Sequence, residues 1–204
     1  MSSLNYVRWR SLQNRLQAGQ AGNVSIEHFS IGESESRWSY VRPGEGVDPG
    51  SYVRLRINGG VMMSNTHDEY RSNVDVLYRA HGHVLIGGLG LGCVLDCILD
   101  KPEVFSVTVI EQSKDVIDLV GSQFTSAKLT VIHGDVLKWK PRRGSKWDVI
   151  YFDIWQDICV DNLKEIAVLH QKYKHYLNRK NERSWMNSWH ADHLRYLRRA
   201  GRWR

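Results

Sequence analysis

The hydrophobic period of the chain changes along its length. In the first 20 residues Leu4, Val7, Leu12 and Leu16 fall at roughly helical spacing, which predicts a short basic helix. From residue 21 the period drops to two. NVSIEHFSI (23–31) and SYVRLRING (51–59) both alternate apolar with polar positions, and a Gly/Pro-rich stretch, RPGEGVDPG, ends the interval between them. Alternation punctuated by turn residues predicts antiparallel strands. Asn58-Gly59 is a hairpin turn signal, so VMMSN is expected as the returning strand. THDEYRSNVDVLYRA then reads as a helix with Asn65 or Thr66 at its N-cap.

From His83 short apolar runs alternate with helical patterns. VLIGGL, SVTVIE, LTVIHGD and WDVIYFDIW are buried-strand candidates, SWMNSW is a fifth, and the segments between and after them carry helical spacing. Strands alternating with helices predict a parallel sheet with right-handed crossovers. The expected fold is therefore α/β: a Rossmann-like, doubly wound, mainly parallel sheet of about five strands in the order 3-2-1-4-5, preceded by a small antiparallel β-hairpin region. Residues 1–65 form the N-terminal helix and β region of this scheme, and 66–204 the nucleotide-binding domain with its tail. No repeat or low-complexity segment interrupts it.

Composition alters this picture in one place. The formal charge of the 204 residues is +6, yet residues 171–204 hold ten Lys/Arg against two acids, and the preceding 170 hold 18 basic and 20 acidic groups. The basicity thus belongs to a tail that also carries Trp185, Trp189 and Trp203. Such a tail has two readings: contact with nucleic acid or another polyanion, or a solvated helix face whose tryptophans pack on the core. No apolar run reaches the roughly 18 residues of a membrane span. The start of the chain has no apolar stretch of the secretory kind, and Cys93, Cys97 and Cys159 are an odd number; together these predict reduced thiols and a cytoplasmic setting.

The chemistry gathers at the predicted strand ends. Gly88, Gly90 and Gly92 form a G-x-G-x-G turn directly after the first strand, where side-chain-free backbone can pass close beneath a nucleotide. Glu111 ends the second strand, about 20 residues on, where an acid accepts hydrogen bonds from both ribose hydroxyls of an adenosine; Gln112 follows it. Asp135, with Val136 beside it, follows the third strand within reach of an adenine amino group, and Asp153 ends the fourth. Each acid alone has a plain reading as a cap or a solvated loop group; all of them in order point to an adenosine-type ligand. Val94 stands two residues after Gly92, so the longer dinucleotide fingerprint G-x-G-x-x-G is not met, and no phosphate-gripping Lys-Ser/Thr loop is present.

At these residues the chain resembles class I S-adenosylmethionine-dependent methyltransferases, and within them the spermidine-synthase-like branch. The likeness runs from about Ser51 to Asp157. It takes in the hairpin Ile57–Met63, Asp68-Glu69-Tyr70, VLIGGLGLGCVL, VTVIE, GD and DVIYFD. It implies S-adenosyl-L-methionine as cofactor, with Glu111 on the ribose, Asp135 at the adenine and Asp153 beside the reacting sulfonium as the catalytic acid. The departures are specific. Leu91 replaces an Asp of the aminopropyltransferases, Met63 replaces a hairpin Gln, and Ser72-Asn73-Val74 replaces their Tyr-His/Gln-Glu. Aminopropyl transfer is accordingly disfavoured, and Leu91 is expected to tolerate an unaltered cofactor carboxylate that an Asp would repel.

Within Tyr151–Asp157, Asp153 is the candidate to orient or deprotonate a nucleophilic amine, while Tyr151 and Trp155 offer an aromatic wall to a flat or cationic small-molecule substrate. Asp157 either assists or caps the next helix. Cys93 and Cys97 share a helix face but lack further ligands, and the histidines of the tail have phosphate or solvent contact as their plainer account; no metal site is expected. The Asn-Pro-Pro-Tyr type sequence of base-methylating enzymes is absent after the fourth strand, which disfavours amino-methylation of DNA bases. Three functions stay open: a small methyltransferase acting on an amine, a cofactor-binding protein without turnover, and a nucleic-acid-associated protein using the basic tail. The short sheet ends on an exposed edge, for which a covering helix or a homodimer partner is expected.

Overall fold

The computed structural model describes residues 2–39 and 46–201. Residues 42–45 of the Gly/Pro-rich stretch and Trp203 lie outside them. The chain opens with helix α1 (Ser2–Arg10) and a 3-10 turn, Ser11–Asn14. Its inward face differs from the expected one. Trp9, Leu12 and Leu16 are buried, while Leu4 and Val7 are exposed, because α1 turns inward the side that carries Trp9, opposite to Val7.

Strands β1 (Gly19–Ala21), β2 (Val24–Ile31), β3 (Gly50–Ile57) and β4 (Gly60–Ser64) make a four-stranded antiparallel sheet in sequential order, with the short helix α2 (Glu33–Ser39) between β2 and β3. Asn58 (φ 52°) and Gly59 (φ 79°) both occupy left-handed space, as a two-residue hairpin of type I′ requires. The pairing then slips: Leu55 faces Met63 but Arg56 faces Val61, leaving Met62 as the extra residue of a bulge. A bulge breaks the alternation of side chains between faces. Met62 and Met63 consequently both reach the same cavity.

Helix α3 (His67–Arg79) leads into the second sheet. This sheet consists of β5 (Gly82–Gly87), β6 (Val104–Glu111), β7 (Leu129–His133), β8 (Val149–Phe152) and β9 (Trp185–Ser188), all parallel, in the order β7-β6-β5-β8-β9. That is the 3-2-1-4-5 order expected from the sequence. Helices α4 (Cys93–Leu99) and α5 (Lys114–Leu119) follow β5 and β6, and α6 (Asn162–Tyr173) and α7 (Ala191–Arg199) follow β8 and β9. Ser113 caps α5 by accepting the Val116 amide at 3.2 Å.

Period-two alternation divides the core across the sheet. Val84, Ile86, Val149 and Tyr151 point to one side, where they meet α1, α3, α4 and the antiparallel sheet. Leu85, Ile150 and Phe152 point to the other, toward α6 and α7. Both faces of the central strands are dry, as parallel sheets demand. Trp185 and Trp189 are half-buried against the first of these clusters. Among the described residues no helix is long and apolar enough to cross a membrane.

Candidate active site

The parallel register sets the strand tips level. Gly87 of β5 pairs with Ile110 of β6 and Phe152 of β8, and Glu111 pairs with His133 of β7. Every turn that follows these residues therefore opens onto the same carboxyl edge, where ligands bind in open α/β sheets. A cavity of about 410 Å³ lies there, within the range of small-molecule sites. Gly88, Gly90, Glu111, Gln112, Asp135, Val136, Tyr151, Asp153 and Trp155 all line it. Gly92 and Asp157 do not.

The glycines are required by the chain itself. Gly88 (φ 94°) sits flush against the Asp153 carbonyl, and an added Cβ would overlap that oxygen. At Gly90 (φ 53°) a Cβ would overlap the Met63 sulfur, which accepts the Leu91 amide at 3.0 Å. Gly92 (φ 74°) is the left-handed N-cap of α4, and its Cβ would lie 2.5 Å from the Phe124 ring. Backbone freedom is thus spent on internal close approach as well as on opening the cavity floor. Leu91 points into the core and is fully buried, so it does not take the cavity position expected for it.

Glu111 locks the turn. One carboxylate oxygen accepts the Leu89 amide at 2.8 Å and the other the Ser113 amide at 2.7 Å. Each oxygen keeps a further lone pair. Asp135 caps its own turn by accepting the Leu137 amide at 2.8 Å, and pairs with Lys138 at 3.2 Å. The Tyr151 ring lines the cavity, but its hydroxyl donates to Asn73 at 3.0 Å and its ring stacks on Trp185 at 6.1 Å. Trp155 donates to Glu165 of α6 at 2.8 Å, which fixes its indole at the cavity wall. Asp157 is exposed; the N-cap of α6 is Asp161, and Asp157 contributes only its carbonyl, to Asn162 at 2.8 Å.

The strongest electrostatic feature pairs a residue expected from the sequence with one that was not singled out. Glu69, on the first turn of α3, lines the cavity with Asp153. Burial raises the Asp153 carboxyl to about 8, and the Glu69 charge adds to that rise. Burial likewise raises Glu69 to about 7; a hydrogen bond donated by the Ser64 amide opposes the rise and the Asp68 charge reinforces it. Two carboxyls that resist joint ionisation attract a cation. The residues departing from the aminopropyltransferase pattern brace this pair. Asn73 donates to the Glu69 carbonyl at 3.0 Å, and Ser72 accepts the Trp189 indole at 3.0 Å. Cys93 and Cys97 are buried, and burial pushes both thiols up, as for core residues.

No family model and no curated protein matches the chain. Solved structures similar to it include spermidine synthase from Thermotoga maritima, at 17% identity over 79% of this chain and 52% of that one, with a TM-score of 0.46. A spermidine synthase in complex with the transition-state analogue AdoDATO is similar at 19% identity over 70% and 47%, TM-score 0.43. Human methyltransferase-like protein 13 in complex with SAH is similar at 21% identity over 53% and 55%, TM-score 0.41. The chain spans about half the length of these proteins.

Proposed function

We propose that the cavity binds S-adenosyl-L-methionine and that the protein transfers its methyl group to a small amine. The observation that carries this reading is the convergence, on one cavity of about 410 Å³, of Glu111, Asp135 and the Glu69–Asp153 pair. The residues fit the ligand's chemistry. Glu111, held by two amides, offers its remaining lone pairs to ribose hydroxyls. Asp135 stands at the rim, where an adenine amino group can donate to it. The Glu69–Asp153 pair supplies negative charge for a sulfonium and an incoming amine.

The bound cofactor supplies a methyl group on a positively charged sulfur. The protein's part is to hold, orient and deprotonate. Asp153 in its ionised form would accept the proton that the amine loses as its nitrogen takes the methyl carbon, with the carbon–sulfur bond broken and a neutral thioether left behind. Tyr151 and Trp155, both anchored by hydrogen bonds, keep the approach narrow and exclude water, so that positioning supplies much of the rate.

The test is calorimetric titration with S-adenosylhomocysteine, followed by transfer of labelled methyl to a panel of small amines. Glu111→Ala removes the ribose acceptors, each worth about 1.5–3 kcal/mol as a hydrogen bond to a charged group, and should weaken binding at least tenfold. Asp153→Asn should spare nucleoside binding and abolish transfer. Absence of nucleoside binding in the intact protein, or an unchanged affinity in Glu111→Ala, would overturn the assignment.

A further inference from the structure

The fold redistributes the positive charge that the sequence placed in the tail. Residues 138–146, connecting β7 to β8, carry five Lys/Arg and no acid, and residues 174–183, connecting α6 to β9, carry four and one, Glu182. The structure ties these two loops side by side. Trp147 donates its amide to the Tyr176 carbonyl at 2.9 Å and accepts the Asn178 amide at 2.8 Å, while Lys146 reaches the His175 carbonyl at 2.7 Å. Asn178 and Asn181 both donate to Asp148 at 2.8 Å, pinning the second loop at the base of β8. The joined surface holds nine cationic side chains and one carboxylate, more positive charge than the +6 of the whole chain.

These charges are not spent internally. Arg142, Arg143 and Lys146 from the first loop and Arg179, Lys180 and Arg183 from the second are exposed, and among the described residues none forms an ion pair. Aromatic rings run between the loops: Trp139 lies 6.2 Å from Trp147, and Trp147 lies 6.1 Å from Tyr176. Trp139 and Tyr176 are only half-buried, so each offers ring surface beside the cations. Cations in excess along two apposed loops with rings interleaved match the phosphates and bases of an unpaired strand. On α7, Arg195 is paired with Asp192.

We propose that the paired loops 138–146 and 174–183 form a docking surface for single-stranded nucleic acid. The first loop follows directly on Leu137, which lines the cavity, and ends at β8 on the opposite edge of the sheet. The two loops are tied together at that opposite edge, so the surface does not depend on what the cavity holds.

The test is fluorescence anisotropy of a labelled 20-nucleotide single strand of mixed sequence, titrated with the full chain from 50 to 300 mM NaCl. A quadruple variant, R142S/R143S/R179S/K180S, removes four exposed, unpaired charges, and its melting temperature checks that the fold is intact. If each of the four meets one phosphate, the slope of log affinity against log salt should fall by about 3, at about 0.7 per contact. A duplex of the same sequence should bind more weakly than the strand. An unchanged slope in the variant would overturn the proposal, as would tighter binding of the duplex. Stronger retention on vesicles containing 30% phosphatidylserine than on the oligonucleotide would also overturn it, in favour of a membrane surface.

Discussion

The Glu69–Asp153 pair makes the charge of the ligand measurable as protons. With Asp153 at about 8 and Glu69 at about 7, the pair holds roughly one proton between them at pH 7.5. A sulfonium placed against it favours the doubly ionised state, so S-adenosylmethionine should release up to about one proton on binding. S-adenosylhomocysteine has the same nucleoside and amino-acid ends but a neutral sulfur. It removes water from the carboxyls without giving them a counter-charge, and should release none or take some up. Affinity for the cation should accordingly rise as pH climbs through 6–8, by at most about tenfold per unit for each proton displaced, while that for the thioether stays flat or falls. Calorimetry of both ligands in phosphate and in Tris at pH 7.5 reads the proton count directly from the difference in apparent enthalpy. Asp153→Asn, which cannot ionise, should abolish most of the release while leaving S-adenosylhomocysteine bound. Equal proton counts for the two ligands, or a count unaffected by Asp153→Asn, would refute the idea that this pair faces the ligand's positive charge.

Two further outcomes follow from the same geometry. A carboxyl whose folded value lies above its unfolded one of 3.8 favours the fold while protonated; that advantage is complete below about pH 4 and is lost as pH rises through about 8. The melting temperature of the ligand-free protein should therefore decline between pH 5 and 8, and Asp153→Asn should flatten the decline and be the more stable form at pH 8. Gly88→Ala and Gly90→Ala share left-handed strain of about 1–3 kcal/mol, but differ in what the new methyl meets. At Gly88 it meets the Asp153 backbone, and at Gly90 the end of a flexible Met63 side chain. Chemical denaturation should show the larger loss at Gly88, and Met63→Ala should recover part of the loss at Gly90 only.

The strand order and the ends that carry chemistry were legible because they are local signals. Period, Gly-rich turns and acids at strand tips each sit within a few residues, and parallel pairing then brings Gly88, Glu111, Asp135 and Asp153 to one edge. What was not legible depends on contacts between distant segments. Glu69 could be seen in its Asp-Glu-Tyr run, but its opposition to Asp153 needs α3 to dock over β8. Leu91 occupies a turn position that sequence alone assigns to the cavity, whereas the left-handed residues around it rotate its side chain into the core. The bulge at Met62 leaves no mark in an alternating pattern. The joined basic surface proposed above was hidden for the same reason: five of its nine cations come from the connection before β8, which in sequence belongs to a stretch of nearly balanced charge.

Met63 gives the Gly-rich turn after β5 an occupant of its own. The Leu91 amide rests on a thioether, one of the weakest acceptors a protein owns. When oxygen arrives in place of that sulfur, the gain is only the difference between two acceptors, and the methionine must swing away. Any acceptor that enters this turn must therefore compete with a side chain 28 residues upstream of the amide it holds.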